Sequence, residues 1–120
     1  MKVLIAEDEL QNQKLLQRVL KMMNIDSVVC ENGSDVIAQK ECFDLLILDL
    51  TLPDMEGIDV AKYIRDGRTN QQPALPIILL SGKSASVMQS YCSEYKIDNY
   101  IEKPFGIDDL KQKVGDCLKL

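Results

Sequence analysis

Apolar residues in this chain fall into short blocks of two periods. Val3-Leu4-Ile5-Ala6, Leu45-Leu46-Ile47-Leu48 and Ile77-Ile78-Leu79-Leu80 are continuous apolar runs with no polar alternation. That pattern suits strands covered on both faces of a parallel sheet. Ser27 to Cys30 and Asn99-Tyr100-Ile101 read as two further, shorter strands, and Pro76 stands where proline is tolerated, at a strand's first residue. Between the runs the spacing changes to that of a helix: Leu16, Val19, Leu20 and Met23 fall at i, i+3, i+4 and i+7, and Gly57, Val60, Ala61 and Ile64 repeat the pattern. Asn24 and Asp66-Gly67 are the predicted stops. The Asn32-Gly33-Ser34 turn predicts a helix over about Asp35 to Lys40. A fourth helix, about Ser84 to Tyr95, rests on the thinner stripe Ala85, Met88, Cys92 and Tyr95. The fifth, about Ile107 to Leu118, is carried by Leu110, Val114, Cys117 and Leu118, with Asp108 and Asp109 favourably placed in its first turn. The polar segment Arg68 to Leu75, which contains Pro73, reads as a mobile loop.

Five strands alternating with five helices imply right-handed crossovers and a doubly wound parallel sheet of order 2-1-3-4-5. Its topological switch lies between the first and third strands, where such folds place their chemistry. Those two strands are the ones that end in acid: Glu7-Asp8-Glu9 after the first, Asp49 after the third.

Composition narrows the function. At 120 residues the chain is expected to be one domain with a core large enough to need no metal or disulfide staple. A net charge of -5 opposes nucleic acid or an anionic membrane and fits a cation or a basic partner. The N-terminal apolar run is too short for a signal peptide, and no run approaches a membrane span. Cys30, Cys42, Cys92 and Cys117 lack C-x-x-C spacing and no histidine is present, so they read as small buried residues of a reducing cytoplasm. The missing histidine also excludes a His-dependent triad and a self-phosphorylating His.

At the carboxyl edge the strands deliver Glu7, Asp8 and Asp49, the Ser81 hydroxyl, and Lys103 after the fifth strand. Three carboxylates about 5 Å apart repel by roughly 3 kcal/mol per pair at an effective dielectric near 20. Lys103 alone cannot neutralise them. Hard oxygen donors select Mg²⁺, with Mn²⁺ or Ca²⁺ as substitutes. A Mg²⁺ site beside a lysine and a hydroxyl suits a phosphoryl group, and Asp49 can be the nucleophile that receives it.

The motifs Leu-Ile-Ala-Glu-Asp-Glu, Leu-Ile-Leu-Asp-Leu-Thr-Leu-Pro-Asp-Met-Glu-Gly, Ile-Ile-Leu-Leu-Ser-Gly and Tyr-Ile-Glu-Lys-Pro-Phe, in this order, resemble a response-regulator receiver domain, and the resemblance spans residues 1 to 120. It implies a flavodoxin-like (βα)₅ fold and a phosphoacceptor module of a two-component phosphorelay. By the same resemblance, Asp49 is the phosphoacceptor. Asp8, Asp49 and the Thr51 carbonyl ligate Mg²⁺, and Glu7 reaches it through a water. Lys103 and Ser81 contact the phosphoryl, Lys103-Pro104 is a cis peptide, and Tyr100 swings inward when Ser81 moves. Thr51 and Lys83 tune the phosphoryl lifetime. Glu7 and Ser81 depart from the commoner Asp and Thr. The implied donor is a sensor histidine kinase or a His-phosphotransfer protein. The implied output is a face of the fourth helix, fifth strand and fifth helix that engages a downstream protein.

The expected protein is thus cytoplasmic and not an enzyme beyond its own phosphotransfer and dephosphorylation. No output domain is expected, nor direct nucleic-acid or membrane contact, and the expected state is a monomer or a weak phosphorylation-dependent dimer. Three alternatives compete. A dehalogenase-like phosphatase would want an acid where Thr51 stands. A flavin or nucleotide binder would want a Gly- or Ser/Thr-rich phosphate loop where Glu7-Asp8-Glu9 stands. An unphosphorylated receiver-like interaction module would not need the acid, hydroxyl and lysine set.

Overall fold

The computed structural model describes residues 1–120. Five parallel strands form one sheet: β1 (Lys2–Ala6), β2 (Asp26–Cys30), β3 (Leu45–Asp49), β4 (Ile77–Ser81) and β5 (Asn99–Glu102), ordered β2-β1-β3-β4-β5. The helices are α1 (Leu10–Met22), α2 (Gly33–Ile37), α3 (Gly57–Arg65), α4 (Ala85–Tyr95) and α5 (Ile107–Leu118). Successive side chains of a strand point to opposite faces, so the apolar runs feed two cores at once. Leu4, Leu46, Leu48 and Leu79 join Val36, Val60, Ile64 and Met88 on one side. Val3, Ile5, Leu45, Ile47 and Ile78 join Leu16, Leu20, Leu110 and Val114 on the other. Every residue of β3 and β4 is buried, whereas the edge strands β2 and β5 are only partly covered.

Both ends of α2 differ from their sequence reading. α2 begins at Gly33 rather than near Asp35, because Asn32 itself is the N-cap: its side chain accepts from the Asp35 N–H at 2.8 Å. The helix then closes at Ile37, since Gln39 and Lys40 offer no apolar face to bury. Ser84 occupies the N-cap position of α4 without making a side-chain cap bond, its hydroxyl facing Ser86 Oγ instead. α4 is also the helix with the least buried face, Met88 being its one fully buried residue. The stop at Asn24 holds, with Asn24 in the left-handed region at φ 60°.

The segment read as a mobile loop is anchored at its centre. Gln71 is buried; its Oε1 accepts from the Phe43 N–H at 2.9 Å and its Nε2 donates to the Glu41 carbonyl at 2.6 Å. Two polar backbone groups at the entrance to β3 are thereby satisfied. At the same edge Arg65, the last residue of α3, donates to the carbonyls of Pro73, Leu75 and Lys96, each at 2.8 Å, and lies 3.5 Å from Asp98. Among the cysteines only Cys30 is buried. Cys92 and Cys117 are half-buried and Cys42 is exposed, its thiol donating to the Asn70 carbonyl, so the expectation of four buried thiols is corrected. Cys42 follows Glu41 on a surface turn where no apolar layer lies above it.

Candidate functional site: an acidic cluster at the carboxyl edge of the sheet

The parallel register brings β1 and β3 side by side, Ala6 beside Leu48, so both chains leave the sheet at the same level. Glu7, Asp8 and Asp49 therefore converge, with one carboxylate oxygen of each within 4.8 Å of the others. Glu7 is fully buried and Asp49 nearly so, while Asp8 faces solvent. The backbone holds this edge firmly. The Glu7 N–H donates to the Cys30 carbonyl, and the buried Gln13 side chain donates to the Glu7 carbonyl at 2.7 Å. Asp49 Oδ1 accepts from the Thr51 N–H at 3.1 Å, closing a turn directly after the strand.

Lys103 reaches this cluster from beyond β5. Its N–H donates to the Ser81 carbonyl at 2.8 Å, and the following bond to Pro104 is cis. Its ammonium lies 2.8 Å from Asp49 Oδ2 and 3.1 Å from Glu7 Oε2. Burial pulls the ammonium's pKa down, but the hydrogen bond and charge of Asp49, followed by those of Glu7, outweigh it and raise the net value. Lys103 is thus held cationic. The Glu7 carboxyl is pushed up, first by burial and then by the charge of Asp49, against the opposing Glu9 N–H and Lys103.

One ammonium against three carboxylates leaves the cluster short of positive charge, and one atom records the deficit. Glu7 Oε2 is fully buried and makes no well-directed hydrogen bond; Lys103 offers it charge at 3.1 Å but not donor geometry. A buried carboxylate oxygen without a donor is costly, and a cation with its bound waters is the group that would satisfy it. The donor set is all oxygen, which fits a hard divalent ion such as Mg²⁺.

Ser81 ends β4 beside this cluster. Asp49 pairs with Leu80 in register, and the Ser81 hydroxyl accepts from the Lys83 N–H at 3.0 Å. Lys83 and Thr51 are both exposed at the rim. Tyr100 is half-buried on β5 and stands apart from the acids: its hydroxyl accepts from Gln89 of α4, and its ring lies under the Lys113 ammonium of α5. The structure thus gathers Glu7, Asp8, Asp49, Thr51, Ser81, Lys83 and Lys103 at one edge and places Tyr100 between α4 and α5.

Gly57 shows why α3 can start so close to the acid. A Cβ built there would lie 2.3 Å from the Asp49 carbonyl oxygen, so only glycine lets the helix abut the end of β3. Its N–H donates to the Leu50 carbonyl at 2.7 Å, and Thr51 bridges Glu56 across the loop. The sequence pattern places Gly57 on a helix stripe, and neither spacing nor composition marks the close contacts of Gly57 or of Asp54.

A doubly wound sheet that collects three acids, a lysine and a hydroxyl at its switch point is the architecture of a phosphoacceptor module. The chain belongs to the response regulator receiver domain family, whose pattern matches residues 3–115. Response regulator ArlR of Staphylococcus aureus is 33% identical over 119 residues, covering 98% of this chain and 52% of that protein. Transcriptional regulatory protein ResD of Bacillus subtilis is 32% identical over 120 residues, covering 98% and 48%. Hybrid signal transduction histidine kinase K of Dictyostelium discoideum is 29% identical over 120 residues, covering 94% of this chain and 10% of that protein. The chain therefore spans about half the length of the two regulators and a tenth of the kinase. The receiver domain of the Francisella response regulator 1452 superposes with a TM-score of 0.87 at 25% identity, covering 98% of this chain and 96% of that one. The receiver domain of a Pseudomonas aeruginosa sensor histidine kinase, solved with a magnesium ion in its active-site cleft, superposes with a TM-score of 0.83 at 20% identity, over 99% and 98%. No helix is long and apolar enough to cross a membrane.

Proposed function

We propose that Asp49 is the phosphoacceptor of this receiver domain and that its donor is the phosphohistidine of a sensor kinase or His-phosphotransfer protein. An Asp49 carboxylate oxygen forms the new P–O bond while the donor's P–N bond breaks, and the electron pair returns to the imidazole, which takes up a proton as it leaves. Dephosphorylation is the attack of water on phosphorus, giving inorganic phosphate and the free Asp49 carboxylate. Neither step makes the chain an enzyme for an outside substrate.

Asp8, Asp49 and the Thr51 carbonyl would hold Mg²⁺, or Mn²⁺ in its place, with Glu7 acting through a water. The bound ion supplies charge neutralisation for the phosphoryl oxygens. Lys103 adds a second cation, delivered to the nucleophile by the Ser81 carbonyl that fixes its backbone. The Ser81 hydroxyl, which accepts from the Lys83 N–H, turns to donate its own proton to a phosphoryl oxygen. The Tyr100 hydroxyl has one hydrogen bond, a 3.3 Å contact from Gln89, so the ring can follow while its backbone stays in β5, and the change reaches the α4-β5-α5 face and a downstream protein. Thr51 and Lys83, exposed at the rim, govern how water reaches the phosphoryl.

The observation that carries this reading is the 2.8 Å contact of Lys103 with a nearly buried Asp49 inside an under-neutralised acid cluster. The test is intact mass after incubation with a small-molecule phosphodonor and Mg²⁺, beside Asp49→Asn and a chelator control. A single phosphoryl adduct requiring both Asp49 and metal is expected. Metal binding without an adduct on the native chain would instead support an unphosphorylated interaction module.

A further inference from the structure

Asp54 stands at the tip of the loop between β3 and α3, and no step of phosphotransfer uses it. Its carboxylate is nevertheless fully engaged with the turn that opens α2. Oδ1 accepts from the Gly33 N–H at 2.8 Å, and Oδ2 accepts from the Ser34 N–H at 2.9 Å and the Ser34 hydroxyl at 2.6 Å. The Ser34 hydroxyl, then the two amides, hold the Asp54 pKa down to about 2, as expected when three donors converge on the charged form. Beside it, Met55 lies so close to Gly33 that a Cβ there would meet Met55 Cγ at 2.3 Å. The loop is therefore fastened at two places. Near β3 the Thr51–Asp49 and Gly57–Leu50 bonds close it, and at its tip Asp54 and Met55 seat it on the Gly33–Ser34 turn. Thr51 belongs to the first fastening, and its backbone runs on toward the second.

We propose that Asp54 is a positioning residue for the metal site: by tethering the loop tip to Gly33 and Ser34, it fixes the backbone that presents the Thr51 carbonyl. This rests on the reading of Thr51 as a metal donor. A carbonyl on a tethered loop is ordered before the ion arrives, whereas an untethered loop must be ordered by the binding itself, which subtracts from affinity. Groups that orient ligands from outside the coordination shell commonly govern metal affinity tenfold or more.

The test is calorimetric titration with Mg²⁺ of the native chain, Asp54→Ala, Asp54→Asn and Ser34→Ala, with Asp8→Asn as site control and melting in chelator alongside. Asp54→Ala is expected to weaken Mg²⁺ binding about tenfold. Asp54→Asn, which keeps one acceptor, should fall between it and the native chain, and Ser34→Ala should cost about twofold because two amide bonds remain. A purely structural cap would lower the metal-free melting temperature and leave the Mg²⁺ Kd unchanged in all three, which overturns the proposal. Should Asp54→Ala fail to fold, unchanged Kd values in Asp54→Asn and Ser34→Ala overturn it equally. A native chain that takes up no Mg²⁺, like Asp8→Asn, would sink the Thr51 reading and the proposal together, and that outcome is distinct from the others.

Discussion

At the scale of the residue, the site is built from carboxylates in three different states of satisfaction. Asp49 has an amide and an ammonium, Glu7 has one oxygen bonded to the Glu9 N–H and one without a directed donor, and Asp54 has three donors. The third is a stability device, and its pH dependence follows from its direction. Its folded pKa, about 2, lies below the unfolded value near 3.9, so its contribution is complete above about pH 4 and is lost as pH falls toward 2. Metal-free thermal melts of the native chain and Asp54→Asn should therefore differ at pH 6, converge between pH 4 and 2, and nearly coincide at pH 2. A gap that stays constant across that range would mean that the charge of Asp54 contributes nothing.

At the scale of the element, the two edges of the sheet divide the labour. The carboxyl edge carries the under-neutralised acid cluster, while the opposite edge is tied down by side chains that complete backbone hydrogen bonds. Arg65 closes three carbonyls from the β4 entrance and the end of α4, so Arg65→Met leaves Pro73, Leu75 and Lys96 to find other donors. A loss of about 2–3 kcal/mol in unfolding free energy is expected from denaturant melts, with the Mg²⁺ Kd unchanged because the cluster lies at the other end of the strands. α4, with one fully buried residue, is the helix whose packing holds it least, which suits the switching proposed for the α4-β5-α5 face.

At the scale of the molecule, the acid cluster sets stability against function. Three converging carboxylates destabilise the metal-free fold, and a cation that binds only the folded state returns the loss by mass action, about 2.7 kcal/mol at a hundred times its Kd. Mg²⁺ should thus raise the melting temperature in a concentration-dependent way. Asp8→Asn should melt a few degrees above the native chain in chelator, since Asp8 has no ion-pair partner to lose, and should show little further gain with Mg²⁺. The opposite order in chelator would show that the carboxylates do not repel appreciably.

The local pattern of the chain by itself determined the sheet, its five strands and the strand ends that meet, because a parallel sheet buried on both faces demands uninterrupted apolar runs. A polar residue closing such a run can only emerge at the sheet's edge, and for that reason Glu7, Asp8, Asp49, Ser81 and Lys103 were legible as one cluster before any coordinates. What needed the tertiary structure was every contact whose partner lies far off in sequence and obeys no period. Asp54 finds Gly33 and Ser34, Gln71 finds Phe43 and Glu41, and Arg65 finds Lys96. Turn residues, amides and guanidinium groups carry no periodic signal, since one hydrogen bond at a particular place is all they contribute. Their partners are fixed only once the sheet has set the distance between the loops.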